Sequence, residues 1–225
     1  MKAKAFYRFG GDIVLEHSKW LAWWRDRGAS YFTDKIWKFS RPDLIDRLKI
    51  GPTTSILELG YGYGREIEQF CRLSSRVAGL DLSESTRTEA LRLLEKRGRA
   101  NPMPSLGVYT GRKIPYPDNF FGVVYSCYVI QHLSRRHAMD LMRESLRVVN
   151  LEGHILFEFF GDPDFHDDNG GDAFSGDPDF GGMFNNAYRP SEIQTAIEAI
   201  GGVLDWLEPW PINNSVTNWW ACFGK

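Results

Sequence analysis

The chain has 225 residues, 43% hydrophobic and 25% charged, with a formal net charge of -2. That length supports one well-filled core but not two comfortable domains, and the charge offers no global attraction to nucleic acid or an anionic membrane. The three cysteines, Cys71, Cys127 and Cys222, are an odd set without close pairing. This argues against a disulfide framework or a zinc knuckle, so no metal is expected. The opening MKAKAFYRFGGDIVLEH carries two lysines but no apolar stretch behind them, and no apolar run is long enough to span a bilayer. A cytoplasmic monomer or homodimer is the resulting expectation.

Residues 1–50 are expected to form a helical cap. Leu15, Trp20, Trp23 and Trp24 fall near one side at helical spacing, Gly28 ends that run, and Pro42 suits the first turn of a further helix. From residue 51 to 225 the pattern reads as a single compact unit. TSILEL (54–59) is a buried strand, followed at once by the loop ELGYGYGRE and a helix over 65–73. RVAGLDL (76–82) is a strand that brings Asp81 to its end. Ser83 can cap the next helix, which Gly98 closes. Strands are predicted over 105–110, 121–130 and 153–160, with a helix over 134–149. After an acidic insertion (161–187), Ser191 and Gln194 form a capping-box pattern for a helix that stops before Gly201. Strands around VLDWLE and VTNWWACF have only PWPINNS between them, too short for a helical crossover, so they should pair antiparallel at the sheet edge. The fold class is therefore α/β: a Rossmann-like, seven-stranded, mostly parallel sheet with helices on both faces and an antiparallel C-terminal pair.

In open parallel sheets, ligands bind beyond the carboxyl ends of the strands, and the first strand-to-helix turn is the favoured place. Gly60, Gly62 and Gly64 occupy that turn, where they permit a sharp bend and a close approach of backbone to ligand. Asp81 follows at the next strand end, placed to accept hydrogen bonds from both hydroxyls of a ribose. An adenosine ligand is expected. The dinucleotide fingerprint would need a third glycine where Arg65 stands, which counts against a nicotinamide-dependent oxidoreductase.

With these residues in place, ILELGYGYGREI resembles the first motif of class I S-adenosylmethionine-dependent methyltransferases. VAGLDLS, IPYPDNFFGVVYSCYVIQHLS and ESLRVVNLEGHILFEF resemble their later motifs, in family order. Tyr61 and Tyr63 stand where the family usually has smaller residues. The resemblance implies S-adenosylmethionine as cofactor. Gly60, Gly62 and Gly64, with Tyr61, would line its methionine part, and Glu58 would orient its amino group. Asp81 would take the ribose hydroxyls and Leu82 would flank the adenine. Thr110, Gly111 and Ser126 complete the implied cofactor set.

A hydroxyl acceptor for the methyl group usually needs a base. His132, after the fourth strand, is the candidate base or a helix-packing residue, and Gln131 beside it could align an acceptor. His137 and His154 read as structural. Glu158, Tyr128, Trp20, Trp24 and Tyr31 are candidate walls of the acceptor site, which would suit an aromatic or cationic small molecule. The insertion repeats GDPDF, holds seven aspartates over 161–182, and misses the calcium-loop pattern. It reads as a lid or a solvated loop. No basic patch or separate recognition domain points to nucleic acid. A non-catalytic binding module is the remaining alternative.

Overall fold

A computed structural model describes residues 43–98, 102–109, 113–161, 186–211 and 217–225. The predicted helical cap before residue 43 and most of the acidic insertion lie outside the described residues. Within them the order is α1 (Leu44–Arg47), β1 (Ile56–Leu59), α2 (Arg65–Leu73), β2 (Val77–Asp81), α3 (Glu84–Arg97), β3 (Ser105–Val108) and β4 (Phe121–Ser126). Next come a 3-10 turn over Ile130–His132, α4 (Arg135–Val148), β5 (Val149–Phe159), α5 (Pro190–Ala199), β6 (Val203–Pro211) and β7 (Thr217–Gly224).

The seven strands form one sheet in the order β3-β2-β1-β4-β5-β7-β6. The first five run parallel, and β7 pairs antiparallel with both β5 and β6, as the short connection required. Strand order reverses between β1 and β4, which opens a crevice at their carboxyl ends.

All four residues of β1 are buried, because helices cover both faces. Alternation sends Leu57 and Leu59 to one face with Val124, Leu141, Ile193 and Phe223. Ile56 goes to the other with Ile67, Phe70, Leu94, Tyr125 and Trp220. Phe70 meets Tyr125 edge-on at 5.1 Å, and Tyr125 lies 5.6 Å from Trp220.

Local chemistry moved several boundaries. The helix of 190–199 starts two residues before a Ser191 cap would allow, because Pro190 presets the first helical turn. The backbone N–H of Arg189 donates to Glu192 Oε2 at 2.8 Å, replacing the expected Ser191–Gln194 pair. β5 begins at Val149 rather than 153, pairing with Phe121 ahead of a register shift in β4. β4 ends at Ser126 rather than 130, because Tyr128 turns into the left-handed region at φ 57. Ser83 caps α3 as predicted, its Oγ accepting from Thr86 N–H at 3.1 Å, and Gly98 ends it at φ 57.

Glu68 is fully buried on α2. Its two carboxylate oxygens accept from Arg72 Nη2 at 2.8 Å and from Arg97 Nε at 2.6 Å, which ties α2 to the end of α3. Glu68 is the buried member, while the Arg72 and Arg97 side chains keep 43% and 18% of their exposure, so its loss removes charge-assisted hydrogen bonds rather than stranding a buried charge. Glu68→Ala is expected to lower stability by about 1–2 kcal/mol in urea unfolding. An unchanged midpoint would remove this ion group from the account of how α2 and α3 are joined.

Candidate active site

The chain leaves β1 through Gly60, at φ 74, whose N–H donates to Leu80 O at 2.7 Å. A Cβ at this position would stand 2.3 Å from Val129 Cγ2, so sterics and backbone conformation both demand glycine. Gly62, at φ 52, differs: a Cβ there would meet nothing within 4 Å. Its backbone borders open space, and its N–H donates to Asp81 Oδ2 at 3.0 Å. Gly64 begins α2 as its N-cap.

Asp81 Oδ1 accepts from Leu82 N–H at 2.7 Å, so each carboxylate oxygen holds one backbone donor. A carboxylate oxygen has a second lone pair, which leaves capacity for ligand hydroxyls. Burial pushes Asp81 up to about 6, against the opposing pull of the Gly62, Leu82 and Ser83 backbone groups. The folded value therefore lies above that of an unfolded aspartate. The contribution of this group to stability is fully present below about pH 4 and is lost as pH rises through about 6.

Glu58 is buried among the α2 side of the core, and its Oε2 has no hydrogen-bond partner. Burial first, then the nearby Glu66 carboxylate, pushes it well above the usual carboxylate range. Arg65, the first residue of α2, pairs with Glu66 Oε1 at 2.7 Å, and its guanidinium lies 5.9 Å from the Tyr128 ring centre. Its charge also favours the ionised forms of Glu58 and Glu158.

Glu158, near the end of β5, is buried and fully engaged. Oε1 accepts from Asn218 Nδ2 at 2.5 Å, while Oε2 accepts from the Tyr128 N–H at 2.7 Å and from Cys127 Sγ at 3.3 Å. Burial raises its pKa, with Asn218, Tyr128 N–H and Cys127 opposing. The Tyr128 N–H bond helps hold a left-handed tyrosine, a conformation costing about 1–2 kcal/mol, and Tyr128 stays 44% exposed beside the crevice.

The remaining predicted residues divide clearly. The Tyr61 ring is not at the open space over Gly62. It packs where a Cβ on Gly79 would stand 2.7 Å from it, and its hydroxyl donates to Gly107 O at 3.4 Å. Gly79 of β2 thus makes room for the ring and Gly107 of β3 supplies a carbonyl to its hydroxyl, so any ligand contact of residue 61 falls to its backbone. Ser126 is likewise buried, its Oγ donating to Leu59 O at 3.1 Å, which joins β4 to β1. Leu82 is half-buried against the core. Gln131 is buried with Oε1 lacking a partner, and His132 follows it, half-buried, on the 3-10 turn. Ser134 caps α4, its Oγ accepting from the His137 N–H at 3.4 Å and lying 3.1 Å from His137 Nδ1. Trp20, Trp24, Tyr31, Thr110 and Gly111 lie outside the described residues.

Sequence reasoning missed Asn218, which carries no local signal. It also treated Arg65 only as a missing glycine. The side chain runs to Glu66 and toward the Tyr128 ring at the loop.

Gly60→Ala is expected to lower the melting temperature more than Gly62→Ala, since only the former adds a clash to the left-handed strain. Equal losses would mean that Val129 does not enforce Gly60.

Residues 57–157 match the family described as a methyltransferase domain, a span running from β1 into β5. No curated protein matches the chain. Among solved structures, it is similar to an S-adenosylmethionine-dependent methyltransferase from Clostridium acetobutylicum, at 13% identity and TM-score 0.64, over 92% of this chain and 98% of that one. A second such enzyme, from Aquifex aeolicus, matches at 15% identity and TM-score 0.63, over 88% of this chain and 97% of that one. The (4+2)-cyclase SpnF matches at 15% identity and TM-score 0.65, over 80% and 78%. These likenesses show the fold, and the cyclase among them is a reminder that fold does not dictate the reaction. The site fits the family's cofactor on its own evidence: open space at Gly62, spare lone pairs on Asp81, and an unpartnered Glu58 oxygen suited to an ammonium group. Domain match, sheet order and glycine loop agree: residues 57–157 carry a methyltransferase domain, on the fold of the S-adenosylmethionine-dependent methyltransferases, with a site that suits S-adenosylmethionine as cofactor.

Proposed function

We propose that this chain transfers a methyl group to an oxygen or nitrogen of a small-molecule acceptor, aromatic or cationic in character. The observation that carries the reading is the group of residues at the carboxyl ends of β4 and β5. Tyr128 is exposed there on a strained turn held by Glu158, and Gln131 offers a buried, unpartnered Oε1 three residues on. A side-chain oxygen in that state can accept the O–H or N–H of an acceptor and fix its orientation. The Tyr128 ring, and the carboxylate beneath it, favour a flat or positively charged partner.

The cofactor's sulfonium supplies an already activated methyl group. The protein must therefore position the acceptor, keep water out, and remove a proton where the acceptor is a hydroxyl. His132 is the residue assigned to that proton. Glu58 would hold the cofactor's amino group and Asp81 its ribose. The net charge of -2 does not favour a nucleic-acid substrate, and no helix among the described residues is long and apolar enough to cross a membrane.

Calorimetric titration with S-adenosylhomocysteine tests the cofactor half. Micromolar binding is expected near neutral pH, weakened in Asp81→Ala and in Gly62→Ala, whose new methyl group would enter the open space. Because ribose hydroxyls donate to the ionised carboxylate, affinity should fall as pH drops below about 6. Asp81→Asn should flatten that dependence. No binding by a folded protein would sink the assignment.

The acceptor half is tested by a turnover screen with aromatic and cationic compounds. Against a hydroxyl acceptor, His132→Ala should lower kcat by about 10²–10⁴-fold while sparing S-adenosylhomocysteine affinity. Unchanged turnover would remove His132 as the base.

A further inference from the structure

Far from the glycine loop, three strands bring together His154 on β5, Asp205 on β6 and Cys222 on β7. One ligand atom from each lies within 4.8 Å of the other two. Asp205 Oδ2 stands 3.4 Å from His154 Nδ1 and 3.7 Å from Cys222 Sγ. Tetrahedral zinc bound by nitrogen, oxygen and sulfur sets its ligand atoms about 3.3–3.7 Å apart, from metal–ligand bonds of about 2.0–2.3 Å. Two of the three separations already have that size.

The backbone explains how these residues meet. Cys222 pairs with Leu156 across β5 and with Trp206 across β6. His154 is two residues before Leu156, so it shares that face of the sheet. Asp205 would point to the opposite face in a regular strand. Here the register shifts between Leu204 and Trp206, and Asp205 has no partner residue on β7. A bulge of this kind re-aims a side chain, and this one delivers Asp205 to the side of Cys222 and His154.

One further observation points to an ion. The Nδ1 atom of His154 is buried and makes no hydrogen bond, a costly state for an imidazole nitrogen. A thiolate and a carboxylate would also neutralise a divalent cation, with a neutral imidazole as third ligand. Arg47 stacks close by, 4.0 Å over the Trp206 ring, but its charge is matched by a two-pronged pair with Glu208 at 2.8 Å per bond. Cys222 is buried while the His154 and Asp205 side chains are 38% and 43% exposed. An ion would thus reach the site from solvent and keep a fourth position for water.

We propose that His154, Asp205 and Cys222 form a zinc-binding site that clips the antiparallel edge of the sheet, separate from the cofactor crevice. His154 lies four residues before Glu158 on β5, which puts the ion roughly 13 Å down the strand from the ligand end. The role is structural: it pins β6 and β7 to β5. Binding releases the thiol proton to solvent as sulfur takes the metal.

The test begins with metal-stripped full-length protein, titrated with Zn2+ by calorimetry and with Co2+ by absorption spectroscopy. One Zn2+ per chain is expected. The Co2+ form should show thiolate charge-transfer absorption and the visible bands of a four-coordinate ion. Cys222→Ser should abolish the charge-transfer band. Asp205→Asn and His154→Ala, at partly exposed positions, should each weaken Zn2+ at least tenfold, and Cys71→Ser should change nothing. Zn2+ should also raise the melting temperature of the unaltered chain and not of the three ligand variants. Absence of Zn2+ binding would overturn the proposal. So would binding that Asp205→Asn and His154→Ala leave intact, which would indicate adventitious surface metal. Should Cys222→Ser fail to fold, the Co2+ spectrum of the unaltered chain still decides: no thiolate band means no such site.

Discussion

The tight exit from β1 is the constraint on which the site depends. The chain must leave a fully buried strand, reverse within a few residues and start α2, all within reach of Val129 from the end of β4. A left-handed Gly60 makes that turn without a clash. Once it is made, the Gly62 N–H meets Asp81 from the neighbouring strand, and the two strand ends are locked together. The crevice between β1 and β4 is thus bordered by backbone rather than side chains, which is what a ligand approaching closely requires.

Around that exit the protein has concentrated buried charge. Glu58, Glu66 and Glu158 are buried near the ends of β1 and β5 and the start of α2, with Asp81 half-buried at the end of β2 and Arg65 among them. Such an arrangement costs stability when acids are desolvated, and it is seldom kept without a partner or a ligand. Two solutions coexist here. Glu158 is satisfied within the protein, by Asn218, Cys127 and the Tyr128 backbone. Glu58 keeps one oxygen unpartnered. The first fixes a turn, and the second is available to a ligand.

The antiparallel edge follows a different logic. The shift between Leu204 and Trp206 lies in β6, the last strand in the sheet order, and sheet edges are where bulges are common. That shift places Asp205 beside Cys222 and His154, in a part of the molecule distinct from the crevice.

Much of the fold was legible in the sequence, because the signals were local or periodic. Runs of apolar residues alternating with helical stretches gave the parallel sheet, a short connection gave the antiparallel pair, and Ser83 and Gly98 marked the ends of α3. Closely spaced glycines followed by an acid at the next strand end located the cofactor loop. Local rules failed where two of them competed: at the start of α5, Pro190 outweighed a plausible cap at Ser191. They also failed where a distant contact decided the backbone. Nothing near residue 128 says that a tyrosine there will turn left-handed, since the carboxylate that holds its N–H is thirty residues away on another strand. The destination of Tyr61 was likewise set by the space over Gly79 in β2 and the Gly107 carbonyl in β3. The sequence by itself determined the architecture, the loop and the cofactor class, because periodicity and backbone conformational demand are written residue by residue. Only the tertiary structure decided which polar groups are spent on one another and which are left for a ligand, because hydrogen-bond partners are chosen across strands by packing.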